Sequence, residues 1–203
     1  MPLQNRVTPF GDFLAHSARG TMMGNRGGRI HTDGRTLTTR RWASRQWICC
    51  ALEFRGRQRD VWGRFYTELF FLDEVTAFAA GHRPCFECRR QDADSFAEAF
   101  APRDRRLSAP EMDVVLHRER LDGKTKRLHR RAINALPDGT MIARGDAAFA
   151  LRGNRLLRWT PSGYREGARR PRDGKVDVLT PPSILRALGR GYAPLWHPSA
   201  DPV

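Results

Sequence analysis

Lysine is scarce in this chain of 203 residues. Lys124, Lys126 and Lys175 are the only three among 36 basic residues, and the rest are arginine. Acidic residues number 22, so the net charge is +14. No apolar run approaches the roughly 20 residues that a membrane-spanning helix needs, so no membrane partner is expected. The opening stretch MPLQNRVTPFGDFLAHSARG lacks the apolar core of a secretory signal, which points to the cytoplasm. Four cysteines without such a signal argue against a disulfide scaffold. Catalytic motifs are missing as well. The serine of WTPSGY has no Gly-x-Ser-x-Gly elbow, RGDAAFALRGN has no Gly-x-x-x-x-Gly-Lys cradle, and His117, His129 and His197 stand without a patterned carboxylate. An active site, if one exists, is assembled across the fold.

What is present is a basic chain with enough apolar residues, 40%, to build a core. A positive field of this size attracts polyanions, and nucleic acid, with DNA favoured, is the expected partner. The rival class is an enzyme that processes nucleic acid. The charge is uneven: residues 1–105 carry a net +5 and residues 106–203 a net +9. Between the halves, APRDRRLSAP at 101–110 is charged and bracketed by prolines, and reads as a linker. Two domains are therefore expected, 1–105 and 106–203.

The pattern of elements predicts an α+β fold. Residues 1 to about 20 look irregular, and the glycine-rich MMGNRGGRIHTDGR is expected to hold turns around a short strand at Arg29–His31. RQWICCALEF (45–54) and RFYTELFF (64–71) read as strands. LDEVTAFAAG predicts a short helix with Asp73 as N-cap and Gly81 as its stop, and RRQDADSFAEAF a second one ending before Pro102. Further on, TMIA, AAFALRG, NRLLRWT and KVDVLT read as strands of a small antiparallel sheet, with a hairpin-like turn at RGN. REGARRPRDGK (165–175) reads as a basic glycine-rich loop, and PPSILRALGRG as a final helix.

RPCFECRR carries the chemistry. Cys-x-x-Cys at a turn aims two sulfurs at one ion, and zinc takes four tetrahedral ligands from thiolate or imidazole. Cys85 and Cys88 supply two. A redox pair would require a parallel α/β pattern around it, which is not evident. The remaining ligands are sought among Cys49, Cys50, His31 and His82. Adjacent strand residues point to opposite faces, so Cys49 and Cys50 cannot both reach one ion easily. The face Ile48, Cys50, Leu52, Phe54 looks like the core face. Cys50 is preferred because thiolate ligands are usually buried.

FFLDEVTAFAAGHRPCFECRR resembles the second half of the Ada-type zinc module of methyl-phosphotriester DNA repair proteins, over about 20 residues. GNRGGRIHTDGR is similar, more weakly, to the first half of shorter Ada-like modules often attached to nucleases. Together they span residues 24–90. The resemblance implies a zinc ion held by Cys85 and Cys88, with His31 at one of the upstream ligand positions, in a DNA-acting protein. It implies no methyl acceptance, because the positions matching the repair proteins' first cysteine pair are His31 and Arg35. The expected metal set is thus Cys85, Cys88, Cys50 and His31 around a structural Zn²⁺.

The expected nucleic-acid contact lies in RERLDGKTKRLHRR, residues 118–131, with seven basic and two acidic residues. Leu128, Ala132, Ile133 and Leu136 fall on one helical stripe, which leaves Lys124, Lys126, Arg127, Arg130 and Arg131 mostly off it, as on a phosphate-tracking helix.

Overall fold

The computed structural model describes residues 1–58, 60–102 and 105–201. The order is β1 (Arg6–Val7), β2 (Phe13–Leu14), β3 (Met22–Arg26), β4 (Trp47–Cys50), β5 (Leu69–Phe71), α1 (Glu74–Ala79), β6 (Arg83–Pro84), α2 (Arg90–Phe100) and α3 (Ala109–Arg120). Then come β7 (Leu121–Asp122), β8 (Thr125–Lys126), β9 (His129–Ala132), β10 (Met141–Arg144), β11 (Ala147–Arg152), β12 (Arg155–Thr160), β13 (Gly163–Arg169), β14 (Lys175–Val178) and α4 (Pro182–Gly189). Helices and antiparallel strands together give the α+β class.

Two six-stranded sheets dominate. The first runs β2-β1-β5-β3-β4-β6, mostly antiparallel but with β1–β5 and β4–β6 parallel. The second runs β13-β12-β11-β10-β14-β9 and is antiparallel throughout. Its β10–β11 and β11–β12 hairpins turn on two residues, the first a glycine with positive φ, Gly145 and Gly153. Helix α1 joins the sheets. Leu72, Val75 and Ala79 pack on Met141, Ala150, Leu157 and Tyr164 of the second sheet. On its other side Phe78 packs at a tilt against Phe96 and Tyr192 in a cluster that also holds Met112, Leu116 and Ile184. Each such buried large side chain contributes about 1.5–3 kcal/mol. Both clusters draw on residues before and after 105, so the expected division does not separate the cores. Residues 103 and 104 of the expected linker lie outside the described residues, and Ser108 opens α3 with a reciprocal capping box to Glu111.

The short helix obeys its local signals. Asp73 accepts a hydrogen bond from the Thr76 amide, and Gly81 follows with φ +87°. A Cβ on Gly81 would meet the Arg120 side chain at 2.6 Å, so glycine here serves both the turn and the close approach.

Four local expectations are corrected. The first twenty residues contain β1 and β2. Upstream of His31 the strand is Met22–Arg26, and His31 forms only an isolated bridge with Leu37. Residues 165–169 of the expected basic loop belong to β13, which pairs along its length with β12. The largest change concerns 118–131. Helix α3 stops at Arg120, and the chain reverses in the two-residue turn Gly123–Lys124 of the β7–β8 hairpin before entering β9. The Asp122-Gly123 dipeptide, a hairpin signal, overrides the helical stripe. Leu128 of that stripe is exposed, while Ile133 and Leu136 are buried under the second sheet.

Candidate metal centre

Two sequence-distant pieces build the site. Strand β6 lies parallel to β4, with Cys49 opposite Pro84, and the Cys85 amide donates to the Cys49 carbonyl at 2.9 Å. This register carries Cys85 alongside Cys50. After β6 the chain turns through residues 86–89 into α2, the Arg89 amide donates to the Cys85 carbonyl at 3.0 Å, and Cys88 swings back toward the same point. The Glu87 amide also points at the Cys85 sulfur, 3.4 Å away. The sulfurs of Cys50, Cys85 and Cys88 all lie within 4.8 Å of one another.

Buried ion pairs hold this turn on both sides. Arg83 makes a bidentate pair with Asp113 of α3, at 2.9 and 2.7 Å. Arg89 reaches Glu74 of α1 at 2.6 Å, and Glu74 in turn accepts from the Tyr192 hydroxyl and the Leu195 amide. A buried pair with this many hydrogen bonds fixes geometry, and removing one partner strands a charge. Arg83 and Arg89, which flank the two cysteines, are therefore anchors of the turn.

Electrostatically the three thiols act as one group. Hydrogen bonding to Cys85 and Cys88, with burial, pushes the Cys50 thiol far up, while the bonds that Cys85 receives from Cys50 and Cys88 pull it down. The Cys88 thiol is also raised, so a cation bound here would displace protons to obtain the thiolates that a soft or borderline ion takes. The donor set fits zinc. Among the described residues no other His, Cys, Asp or Glu joins the group, so a tetrahedral ion held by these three would keep one position open. The cysteines line a cleft of about 830 Å³, walled also by Ile48, Arg57, Phe65, Tyr66 and Glu68.

His31, the fourth expected ligand, and the candidates Cys49 and His82 lie elsewhere. Cys49 sits in the core with Val7, Leu69 and Phe71, so the pleat is read in the opposite sense from the expected one. Trp47 and Cys49 face that core, Ile48 and Cys50 face the cleft, and Leu52 is exposed. His31 is buried, but both ring nitrogens are engaged. Nε2 donates to the Gly63 carbonyl at 3.1 Å, so Nδ1 accepts from the Thr67 hydroxyl at 2.6 Å. The ring stacks on Trp62 with centroids 5.1 Å apart. It pins the 60–67 segment and is not grouped with the cysteines. His82 packs against Trp47 and Phe71, accepts from Arg26 at 3.5 Å, and is held well below its usual pKa by burial and by Arg26 and Arg120.

The expected nucleic-acid residues divide. Lys124 and Arg131 are exposed, without a carboxylate partner among the described residues. Arg130 pairs with Asp177 at 3.0 Å, and Arg127 donates to the Leu121 carbonyl. Lys126 turns inward to the Ala79 carbonyl, and burial together with Arg120 and Arg26 lowers its pKa to about 7. It is a packing residue. Sequence reading missed the buried stack beside it, in which the guanidinium carbons of Arg26 and Arg120 lie 3.9 and 3.8 Å from the Trp47 ring. No period marks such a group, because its members come from three distant elements.

No family model matches the chain, and neither the curated proteins nor the solved structures contain a match to it. Among the described residues no helix is long and apolar enough to cross a membrane. The class that the fold and site define is an α+β protein with a three-cysteine cluster able to hold a metal ion.

Proposed function

We propose that this is a zinc-binding, nucleic-acid-binding protein in which Cys50, Cys85 and Cys88 hold Zn²⁺ and the arginine-rich surface holds the nucleic acid, DNA in the first instance. The convergence of three sulfurs from two chain segments within 4.8 Å carries the metal half of this reading. An ion there ties β4 to the β6–α2 turn, a structural role for a junction that holds no disulfide. The net charge of +14 supports the nucleic-acid half, as does the likeness of FFLDEVTAFAAGHRPCFECRR to an Ada-type zinc module. On this reading Cys50 takes the place of the module's upstream cysteines, and the protein acts in the cytoplasm.

Elemental analysis of the purified protein tests the metal. About one zinc per chain is expected, and none in Cys85→Ser or Cys88→Ser. A wild-type chain free of metal defeats the zinc half. Retardation of labelled duplex DNA that weakens steeply with salt supports binding, and its absence defeats the other half.

One observation favours a second reading, a metal-dependent nucleic-acid-processing enzyme. The fourth position of a Cys50–Cys85–Cys88 site faces a cleft large enough for a nucleotide, and an open position is the mark of catalytic zinc. Incubation with labelled DNA, with and without Mg²⁺, separates the two, because only the enzyme changes the DNA.

A further inference from the structure

The second sheet shows where a polyanion would lie. Strand pairing sets Ile142, Phe149, Arg158 and Arg165 side by side across β10, β11, β12 and β13. Cross-strand partners share a face, and Arg144, two residues beyond Ile142, shares it too. Arg144, Arg158 and Arg165 are all exposed, and Phe149 lies half-buried between them. The Arg144 guanidinium sits over the Phe149 ring, 5.7 Å from its centre. None of the three arginines forms an ion pair with a described carboxylate within 4.0 Å, and none donates a side-chain hydrogen bond to a described residue. Asp146, at the β10–β11 turn, pairs with none of them, and Glu166 alternates onto the other face from Arg165.

An arginine directly opposite another arginine is an unfavourable cross-strand pair. Edge protection explains charge on β13, the outermost strand, but not on β10 or β12, which have neighbours on both sides. The arrangement is complete only with an anion that several forks share, and guanidinium suits phosphate oxygens. With one half-buried ring and no exposed apolar side chain in the row, the face lacks what a membrane surface would bury. The other edge of the same sheet, β9, offers less, since there Arg130 is paired with Asp177.

We propose that the face formed by Arg144, Arg158 and Arg165 around Phe149 is the contact for the phosphate backbone of nucleic acid. The inference rests on the nucleic-acid half of the function proposed above, and it replaces residues 124–131 as the place of contact.

The test is a fluorescence anisotropy titration of full-length protein against a 20-base-pair duplex of mixed sequence, from 50 to 200 mM salt. Substituting all three arginines by alanine should flatten the slope of log affinity on log salt by about 2–3, near 0.9 per lost phosphate contact. The triple lysine variant should recover most of the slope. A melting temperature that does not fall in either variant shows that folding is not the cause. Wild-type binding with an unaltered slope in the alanine variant overturns this inference and leaves the proposed function standing. A wild-type chain that does not bind duplex overturns both. Arginine-dependent capture by phosphatidylserine vesicles, without duplex binding, also overturns both and makes the face a lipid surface.

Discussion

Arginine meets opposite fates in the two sheets. Around the cysteine-bearing sheet, Arg26, Arg83, Arg89 and Arg120 are buried, and each is held by carboxylates, carbonyls or an aromatic ring. On the second sheet, Arg144, Arg158 and Arg165 are exposed with no described carboxylate or carbonyl partner, two of them face to face. The same side chain builds in one place and advertises in the other. A net charge therefore says little about a binding surface until the buried cations are set aside.

The comparison breaks most severely at the cysteines. Cys85→Ser should remove the metal and lower stability by about 4 kcal/mol or more, the range reserved for loss of a metal or a core. Urea unfolding before and after chelation checks this: the wild type should fall toward the variant, and the variant should not respond. Next comes the Arg83–Asp113 pair. Asp113→Ala should cost about 3–5 kcal/mol in the urea midpoint, because Arg83 would stay buried without its carboxylate. A loss under about 1 kcal/mol would mean that water reaches Arg83.

Lys126 sharpens the comparison through pH. Its folded pKa, about 7, lies below the ordinary 10.5, so the unfolded chain binds the extra proton between these values. Its contribution to stability therefore rises as pH climbs from about 7 to 10.5, and the penalty is full below 7. Lys126→Met should stabilise the protein by about 1 kcal/mol at pH 7, with the gain shrinking by pH 10. Parallel urea titrations of wild type and variant at both pH values cancel the titration of the cysteines. A gain that does not change with pH would place the Lys126 amine in water. The smallest effect belongs to the second sheet. Arg158→Thr should raise stability by a few tenths of a kcal/mol by relieving its opposition to Arg165, read as a slightly higher melting temperature.

Much of the local structure was legible. The Asp73 cap, the Gly81 stop, the strands around RGN and the α4 helix follow from short-range chemistry, since caps and two-residue turns bond within a few residues. The region 118–131 was misread because Leu128, Ala132, Ile133 and Leu136 satisfy a helical period by coincidence, while the competing signal, Asp122-Gly123, is only a dipeptide. Strand β13 was hidden by its own composition: a basic, glycine-bearing segment becomes a strand only because β12 supplies its hydrogen-bond partners. At the candidate site, the alternation of Cys49 and Cys50 was readable, but not which face met the core. His31 stood at a plausible ligand position, yet its two nitrogens are taken by Thr67 and Gly63.

By itself, the sequence determined that Cys85 and Cys88 share one turn, that an α+β chain would form around it, and that positive charge would be in excess. These follow from covalent spacing, local propensity and composition. Only the tertiary structure decided that Cys50 joins them, that the Lys126 amine turns inward, and which arginines remain free for a partner. Each of those outcomes depends on which surfaces pack together, and burial is a property of contacts between segments tens of residues apart.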